Sequence, residues 1–496
     1  MNGTVFVLIP PIVIIILVLM TRRVILSVGL GIILASLIYE NFNLIATAKR
    51  MLLSVIHLFY EDGAIAAGNL YILGFLLLLG VMTGLIQLSG GGAAFGEFAA
   101  RKFSSKRHVT LSTTAFGMTL FPDDVFNMFT NSQVSRPLFD RFGIPRAKLA
   151  YMVHSTSDPL CVLTPVSSWG AYIISIFATI FVSLNISDNP MVTFIEVGFV
   201  NFYALTTIAL VFLVAFFDIN IGKMKKSVQN AQEITAPDNG SKGNIRALVI
   251  PILTLMTVSI AMLLWTGYQN SQSLSLISWF ENGEVSLALV TGAFFACISS
   301  LLFIVRDHLI NQLPKAISNG LKTTLPAVWI LLFAWVLSEL TGLLQTGEYL
   351  ASFIENIDLS VSWLPFLLFL LTGFMAFSTG TSWGTFAIML PIAAQIGIHL
   401  GADLTPLFAA VLSGSLFGDH CSPISDTTTV AAAAAGCNHM EHVITQIPYA
   451  LTAAFITACS FLVFGITENN LLAYLTIAVM LISFTGIYRI RNKQNG

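Results

Sequence analysis

Apolar residues fall in long blocks along this chain, separated by short polar stretches. A helix crossing a hydrocarbon core of about 30 Å needs about 20 mostly apolar residues. Blocks suited to membrane helices occur at 5–20, 24–39, 65–88, 149–182, 191–217, 247–267, 284–305, 323–344, 404–437, 443–465 and 470–488. Two further blocks, 109–135 and 367–393, are interrupted at their middles by polar and glycine-rich runs, and are expected to enter the membrane and turn back. The polar stretch 218–246 lacks periodicity and aromatic residues and is expected to be a flexible cytoplasmic loop between two halves. No basic residue precedes the apolar run Val5 to Met20 and no small-residue cleavage site follows it, so a retained membrane helix is expected there.

Composition agrees. Hydrophobic residues make up 56 % of the 496 positions and charged ones 10 %, with a mean hydropathy of +0.83. Soluble domains carry about 25 % charge. The bilayer is therefore the main solvent and partner. A nucleic-acid binder, a secreted disulfide scaffold and an ordinary cytosolic enzyme are excluded. Cys161, Cys297, Cys421, Cys437 and Cys459 have no zinc or disulfide spacing and read as small hydrophobes.

The bases cluster at Arg22/Arg23, Arg101 to Arg107, Arg136 to Lys148, Lys223 to Arg246, Arg306 to Lys322 and Arg489 to Lys493. The loops at Glu61/Asp62, Asp188/Glu196, Glu281/Glu284, Glu348 to Asp358 and Glu468 hold none. Positive-inside logic then gives 11 crossings, with the N-terminus outside and the C-terminus cytoplasmic. Lys49/Arg50 stand apart, which suggests an interfacial helix over 43–59.

A shift of 258 residues brings Gly84-Leu-Ile-Gln87 onto Gly342-Leu-Leu-Gln345, Pro165 onto Pro423, Ser167 onto Ser425 and Pro190 onto Pro448. It also brings Phe121-Pro-Asp-Asp124 onto Thr379-Gly-Thr-Ser382. Equivalent loops fall on opposite faces, so the repeat is inverted. Inverted repeats with broken segments near the midplane are an architecture of secondary transporters. The expected fold is all-α and polytopic, with two re-entrant hairpins and two broken helices. Its parts are membrane helices over 1–64, a first repeat over 65–217, the linker 218–246, connecting helices over 247–322, a second repeat over 323–465, and a last helix and tail over 466–496.

Segments 149–182 and 404–437 are too long for straight spans, and prolines mark breaks within 154–170 and 418–429. Asp123, Asp124, Asp158, Glu339, Asp419 and Asp426 lie at membrane depth with no Lys or Arg beside them. Such carboxylates mark ion or proton paths. Other roles stay open at this point. Asp123 and Asp124 suit a helix cap, Asp158 a cap or a wet vestibule, and Glu339 lies near enough to a helix end to snorkel. His439 and His442 look juxtamembrane. His420, Ser422 and Asp426 are the one combination in the sequence that suits a hydrolytic triad.

The run Gly418-Asp-His-Cys-Ser-Pro-Ile-Ser-Asp-Thr-Thr428, followed by Gly436-Cys-Asn-His-Met-Glu-His442 and Thr445-Gln-Ile-Pro-Tyr-Ala450, resembles the signature of the NhaC family of sodium/proton antiporters. Pro122-Asp-Asp-Val-Phe-Asn127, the basic run ending at Tyr151 and Pro165-Val-Ser-Ser-Trp169 resemble its first half. The resemblance implies a secondary antiporter of the bacterial inner membrane, exchanging Na⁺ for H⁺ or, as in some members, dicarboxylates or amino acids. One departure is His154, where the family commonly carries Asp, with Asp158 four residues on; this leaves open which group in the first half titrates. The expected cation and proton site comprises Asp123, Asp124, Asn127, Asp158, Asp419, His420, Ser422, Ser425, Asp426 and Thr427, with Asp123, Asp124 and Asp426 holding Na⁺. Asp426, with Ser422, Ser425 and Thr427 around it, is the expected shared site. For an organic anion the expected cradle is Ser378, Thr379, Thr381 and Ser382. No cofactor is expected beyond the transported Na⁺ and H⁺, no nucleic-acid partner is expected, and a homodimer is the assembly considered, with the oligomeric state left open by the sequence.

Overall fold

A computed structural model describes residues 5–21, 23–61, 64–91, 94, 105–230, 244–271, 275–345, 349 and 360–494. Arg22, Asp62, Arg101, Lys102, Glu348, Glu355, Asp358 and linker positions 231–243 lie outside them. The described chain is helical apart from a two-stranded antiparallel hairpin, Tyr60–Glu61 with Ala64–Ile65.

Eight described helices are long and apolar enough to cross a membrane, or nine if Pro190–Val200 and Phe202–Phe217 form one span. The expected spans at 5–20 and 24–39 are the helices Ile9–Thr21 and Val24–Tyr39, of 13 and 16 residues. At 1.5 Å per residue they are about 20 and 24 Å long. One of the nine, Val361–Thr379, is an arm of the interrupted 367–393 block, so a count of eleven requires these two short helices and the broken 404–437 segment to cross as well. The helix expected over 43–59 is Leu44–His57, with Leu44, Ile45 and Leu52 exposed and Arg50 paired to Glu40.

Both interrupted blocks are helical hairpins. Lys106–Gly117 turns into Asp124–Arg141, and Leu364–Thr379 turns into Ser382–His399. At the second tip Gly380 adopts φ +71°, and a Cβ there would sit 2.6 Å from the Ile424 carbonyl oxygen. Only glycine meets both conditions. The helix ends repeat with the shift read from the sequence: Asp124–Arg141 and Arg146–Leu163 each lie 258 positions before Ser382–His399 and Leu404–Cys421.

The packing establishes inversion. Arg146–Leu163 and Ser168–Ser183 together run 38 residues in nearly one direction. At one end Arg146 holds Asp140, at the base of the first hairpin, through two hydrogen bonds of 3.0 and 2.8 Å. At the other end Phe177 stacks on Phe408, near the base of the second hairpin, at 4.5 Å. The hairpins thus enter from opposite ends. Each second arm lies on the other repeat: Asp124–Arg141 packs on Asp426–Ala435, and Ser382–His399 packs on Ser168–Ser183.

The breaks are shorter than the sequence suggested. Helix continues from Arg146 to Leu163 and from Leu404 to Cys421, so only 164–167 and 422–425 are non-helical. Thr156 and Ser157 bond back to the carbonyls of Met152 and His154, which lets a polar run stay helical in apolar surroundings. Two further expectations are corrected. The 191–217 span bends by 51° at Asn201, whose side chain accepts the Ala204 N–H and the Ser413 hydroxyl proton. Part of the linker is not loop: Lys223–Asn230 is a helix that buries Met224 and is tied by a Ser227–Glu441 hydrogen bond.

Candidate functional site

Both hairpin tips and both breaks converge on a cavity of about 100 Å³. Asp123, Asp124, Ser168, Thr381, Asp426 and Thr427 supply its polar lining, with Thr323 and Thr324 from Leu313–Leu343. No lysine or arginine among the described residues lines it. The tip and break of each half are bound together: the Ser168 N–H donates to the Pro122 carbonyl at 2.8 Å, and the Ser422 hydroxyl donates to the Phe377 carbonyl at 2.7 Å.

Asp123 caps the Asp124–Arg141 helix, accepting the Phe126 N–H at 2.9 Å. It is 8 % exposed and Asp124 is 4 % exposed, whereas Asp426, the first residue of Asp426–Ala435, is open to the cavity. Two buried carboxylates and one exposed one thus share a small space. Ionised carboxylates out of bulk water cost several kcal/mol each unless something neutralises them. Hydroxyl geometry sets the sign of the ligand. Thr323 donates to the Gly320 carbonyl, Thr324 to that of Leu321 and Thr427 to the Asp419 carboxylate. The Thr323 and Thr324 protons are committed, which leaves lone pairs of those two hydroxyls for the cavity, whereas the Thr427 oxygen is already met by Ser425 and His154.

Thr427 joins this cavity to a second polar cluster. Its hydroxyl donates to Asp419 Oδ2 at 2.6 Å and lies 3.0 Å from His154 Nε2. His154 Nε2 is 3.1 Å from Asp158 Oδ2. His420 approaches the same oxygen at 3.8 Å and meets the Tyr203 hydroxyl through Nδ1 at 3.1 Å. His442 Nε2 and the Gln446 amide lie 3.2 and 2.9 Å from His154 Nδ1.

The expected residues therefore separate into groups. Asp123, Asp124, Asp426 and Thr427 share the cavity. Asp158, Asp419 and His420 lie behind Thr427, and Asp158 is neither a cap nor in a vestibule but mid-helix and fully buried. Asn127 donates to the Gly117 carbonyl at 2.8 Å and closes the first hairpin. Ser425 caps Thr428, and Ser422 is spent on Phe377, so these oxygens do not ring Asp426 as expected. They also leave no hydrolytic triad, because the Ser422 proton goes to a carbonyl. Of the four cradle residues only Thr381 lines the cavity; Ser378, Thr379 and Ser382 donate to backbone carbonyls. Glu339 stands 3.7 Å from His57 and plays no part in the lining. His442 is fully buried rather than juxtamembrane, while His439 is half-buried and meets the Pro423 carbonyl.

Sequence reasoning missed Ser168, Thr323, Thr324, Tyr203 and Gln446. Thr323-Thr324-Leu-Pro326 carried a signal: a proline inside an apolar helix frees a carbonyl, and threonines beside it are a usual sign of a lined cavity.

Residues 160–466 match the Na⁺/H⁺ antiporter family. The chain is 38 % identical over 494 residues to an uncharacterized protein of Haemophilus influenzae, covering 97 % of this chain and 95 % of that one. It is 33 % identical over 189 residues to the malate-2H⁺/Na⁺-lactate antiporter of Bacillus subtilis, covering 38 % of this chain and 39 % of that one. The Alcanivorax borkumensis YdaH transporter shares the fold, with a TM-score of 0.58 at 14 % identity over 84 % of this chain and 88 % of that one. With its inverted hairpins and multi-pass helical body, the chain is a secondary antiporter and belongs to the Na⁺/H⁺ antiporter family.

Proposed function

We propose that this protein exchanges Na⁺ for H⁺ across the bacterial inner membrane, with Asp123, Asp124 and Asp426 holding the cation or its competing protons. The observation that carries the reading is three carboxylates facing one small cavity that no base among the described residues lines. A space of about 100 Å³ suits a cation with a few waters, well under the roughly 300–1,000 Å³ of typical organic-ligand pockets. Lone pairs of Thr323 and Thr324 complete a hard-oxygen shell. Protons and Na⁺ then compete for the same oxygens, and exchange follows from that competition. In this reading the N-terminus is outside and the C-terminus cytoplasmic.

The second reading, exchange of a small organic acid coupled to H⁺ or Na⁺, draws on the similarity to the malate/lactate antiporter. One experiment separates them. Protein in proteoliposomes with a trapped pH dye is challenged in turn with Na⁺, Li⁺, K⁺, malate, lactate and amino acids. Proton flux driven by Na⁺ alone is expected. Flux driven only by an organic solute overturns the cation reading.

A further inference from the structure

The cluster behind Thr427 has the makings of a different site. His154 and Asp158 stand four residues apart on Arg146–Leu163, on the same helix face. His420 comes from the last turn of Leu404–Cys421, in the other repeat. Nitrogen or oxygen atoms of these three side chains lie within 4.8 Å of one another, and all three residues are buried. Asp158 Oδ2 and His420 Nε2 lack an aligned hydrogen-bond partner. The other oxygen of Asp158 accepts the Ser157 hydroxyl proton at 2.9 Å. Asp158 Oδ2, 3.1 Å from His154 Nε2, and the buried His420 Nε2 are close to one another.

A tetrahedral ion with bonds of about 2.0–2.1 Å places its ligand atoms roughly 3.3 Å apart. Here the carboxylate oxygen stands 3.1 Å from one imidazole nitrogen and 3.8 Å from the other. Ligating histidines hold their second nitrogen in a hydrogen bond. That shell is present: Tyr203 Oη is 3.1 Å from His420 Nδ1, and His442 Nε2 is 3.2 Å from His154 Nδ1. Two imidazoles and one carboxylate select a borderline ion such as Zn²⁺ or Co²⁺ over Na⁺, Mg²⁺ or Ca²⁺.

We infer that His154, Asp158 and His420 form a binding site for a single divalent transition ion of the Zn²⁺ class, bridging the two repeats. The site stands whichever solute the cavity carries. An ion there takes His154 Nε2 from Thr427 and joins Arg146–Leu163 to Leu404–Cys421.

The test uses full-length protein in detergent, without a histidine tag and stripped with chelator, titrated with Co²⁺. The expected result is one equivalent with the intense visible absorption of tetrahedral Co²⁺, displaced by Zn²⁺. Asp158→Asn and His420→Gln abolish that band, and Tyr203→Phe weakens binding roughly 10–100-fold. His439→Gln leaves it intact. His420→Cys guards against misfolding as an explanation, because it keeps binding and adds a thiolate-to-cobalt charge-transfer band absent from the wild type. The inference is overturned if folded wild type shows no saturable band, if Asp158→Asn retains it, or if His420→Cys adds no thiolate band.

Discussion

Thr164–Ser167 in the first repeat and Ser422–Ser425 in the second are the same break: hydroxyl, proline, branched aliphatic, serine. Both end in a capping serine, which accepts the Gly170 N–H in one and the Thr428 N–H in the other. The residue after the cap differs: Ser168 in the first repeat, Asp426 in the second. At the hairpin tips the assignment is reversed, with Asp123 in the first repeat and Thr381 in the second. All four line the cavity. The backbone is thus nearly symmetric and the charge is not. At these positions each repeat supplies one acid and one hydroxyl, on opposite elements. Inverted folds keep the duplicated scaffold because it builds the cavity. They can differentiate the side chains because a small cavity needs one set of ligands, not two.

The largest effect is expected from removing that asymmetry. In Asp426→Asn, loss of a carboxylate–cation contact of about 3 kcal/mol weakens Na⁺ binding roughly 100-fold, read by calorimetry together with Na⁺-driven proton flux. Moving the acid to the equivalent place, as Asp426→Ser with Ser168→Asp, is expected to restore part of the flux. Flux in the exchanged variant no higher than in Asp426→Ser alone defeats the idea that the two positions are interchangeable. Asp123 is a cap and, in the proposed reading, also a ligand, and asparagine keeps the first role. Asp123→Asn should therefore retain the melting temperature and lose flux, while wild-type flux returns Asp123 to a purely structural part.

The bend at Asn201 marks the next asymmetry, because its counterpart, Cys459, sits inside the unbroken helix His439–Thr467. Asn201→Ala loses a cap worth about 1 kcal/mol and leaves the buried Ser413 hydroxyl without its acceptor, a further 1–3 kcal/mol or so. Cys459→Ala should cost less than about 1.5 kcal/mol. Equal losses in thermal unfolding contradict the comparison. Orientation is checked without perturbing stability: a cysteine at Lys106 should label from the cytoplasm and one at Ser360 from outside. Labelling of both from one side contradicts the inverted insertion.

The smallest effect lies at the membrane edge. Partial burial raises the Asp218 carboxyl, but the neighbouring Lys148 ammonium outweighs it and holds the group below the usual carboxylate range. A lowered acid adds stability above its unfolded value, and that stability is lost as pH falls through the lowered one. Asp218 is largely exposed, so Asp218→Asn should lower the melting temperature only slightly at neutral pH, and the difference from wild type should vanish in acid.

Periodicity and proline made the hairpins, the two breaks and the repeat legible before any coordinates. Interruptions such as Phe121-Pro-Asp-Asp124 stand out against apolar surroundings, and hydrophobicity dominates membrane folding. What stayed hidden depends on packing across the repeats. His442 reads as juxtamembrane because it follows Gly436 and precedes an apolar run, yet it is buried against His154, 288 positions away. The polar run from His154 to Ser157 reads as a break, but local back-bonding keeps it helical. Ser168 is unremarkable in sequence and Thr324 is marked only by the nearby Pro326, and the convergence of separate elements makes them lining residues.

The crosswise seating of the hairpins also sets a clock on biosynthesis. Arg146 at the base of the first hairpin donates to the carbonyl of Gly436, which is made 290 residues later. At about 5–20 residues per second, that partner arrives roughly 15–60 s after the hairpin leaves the ribosome. Until then the face of Asp124–Arg141 that Asp426–Ala435 will cover has no permanent neighbour. During that interval the nascent first repeat must be sheltered by insertion machinery or by water at the membrane edge, and truncated chains ending before about 436 should be the preferred substrates of membrane proteolysis.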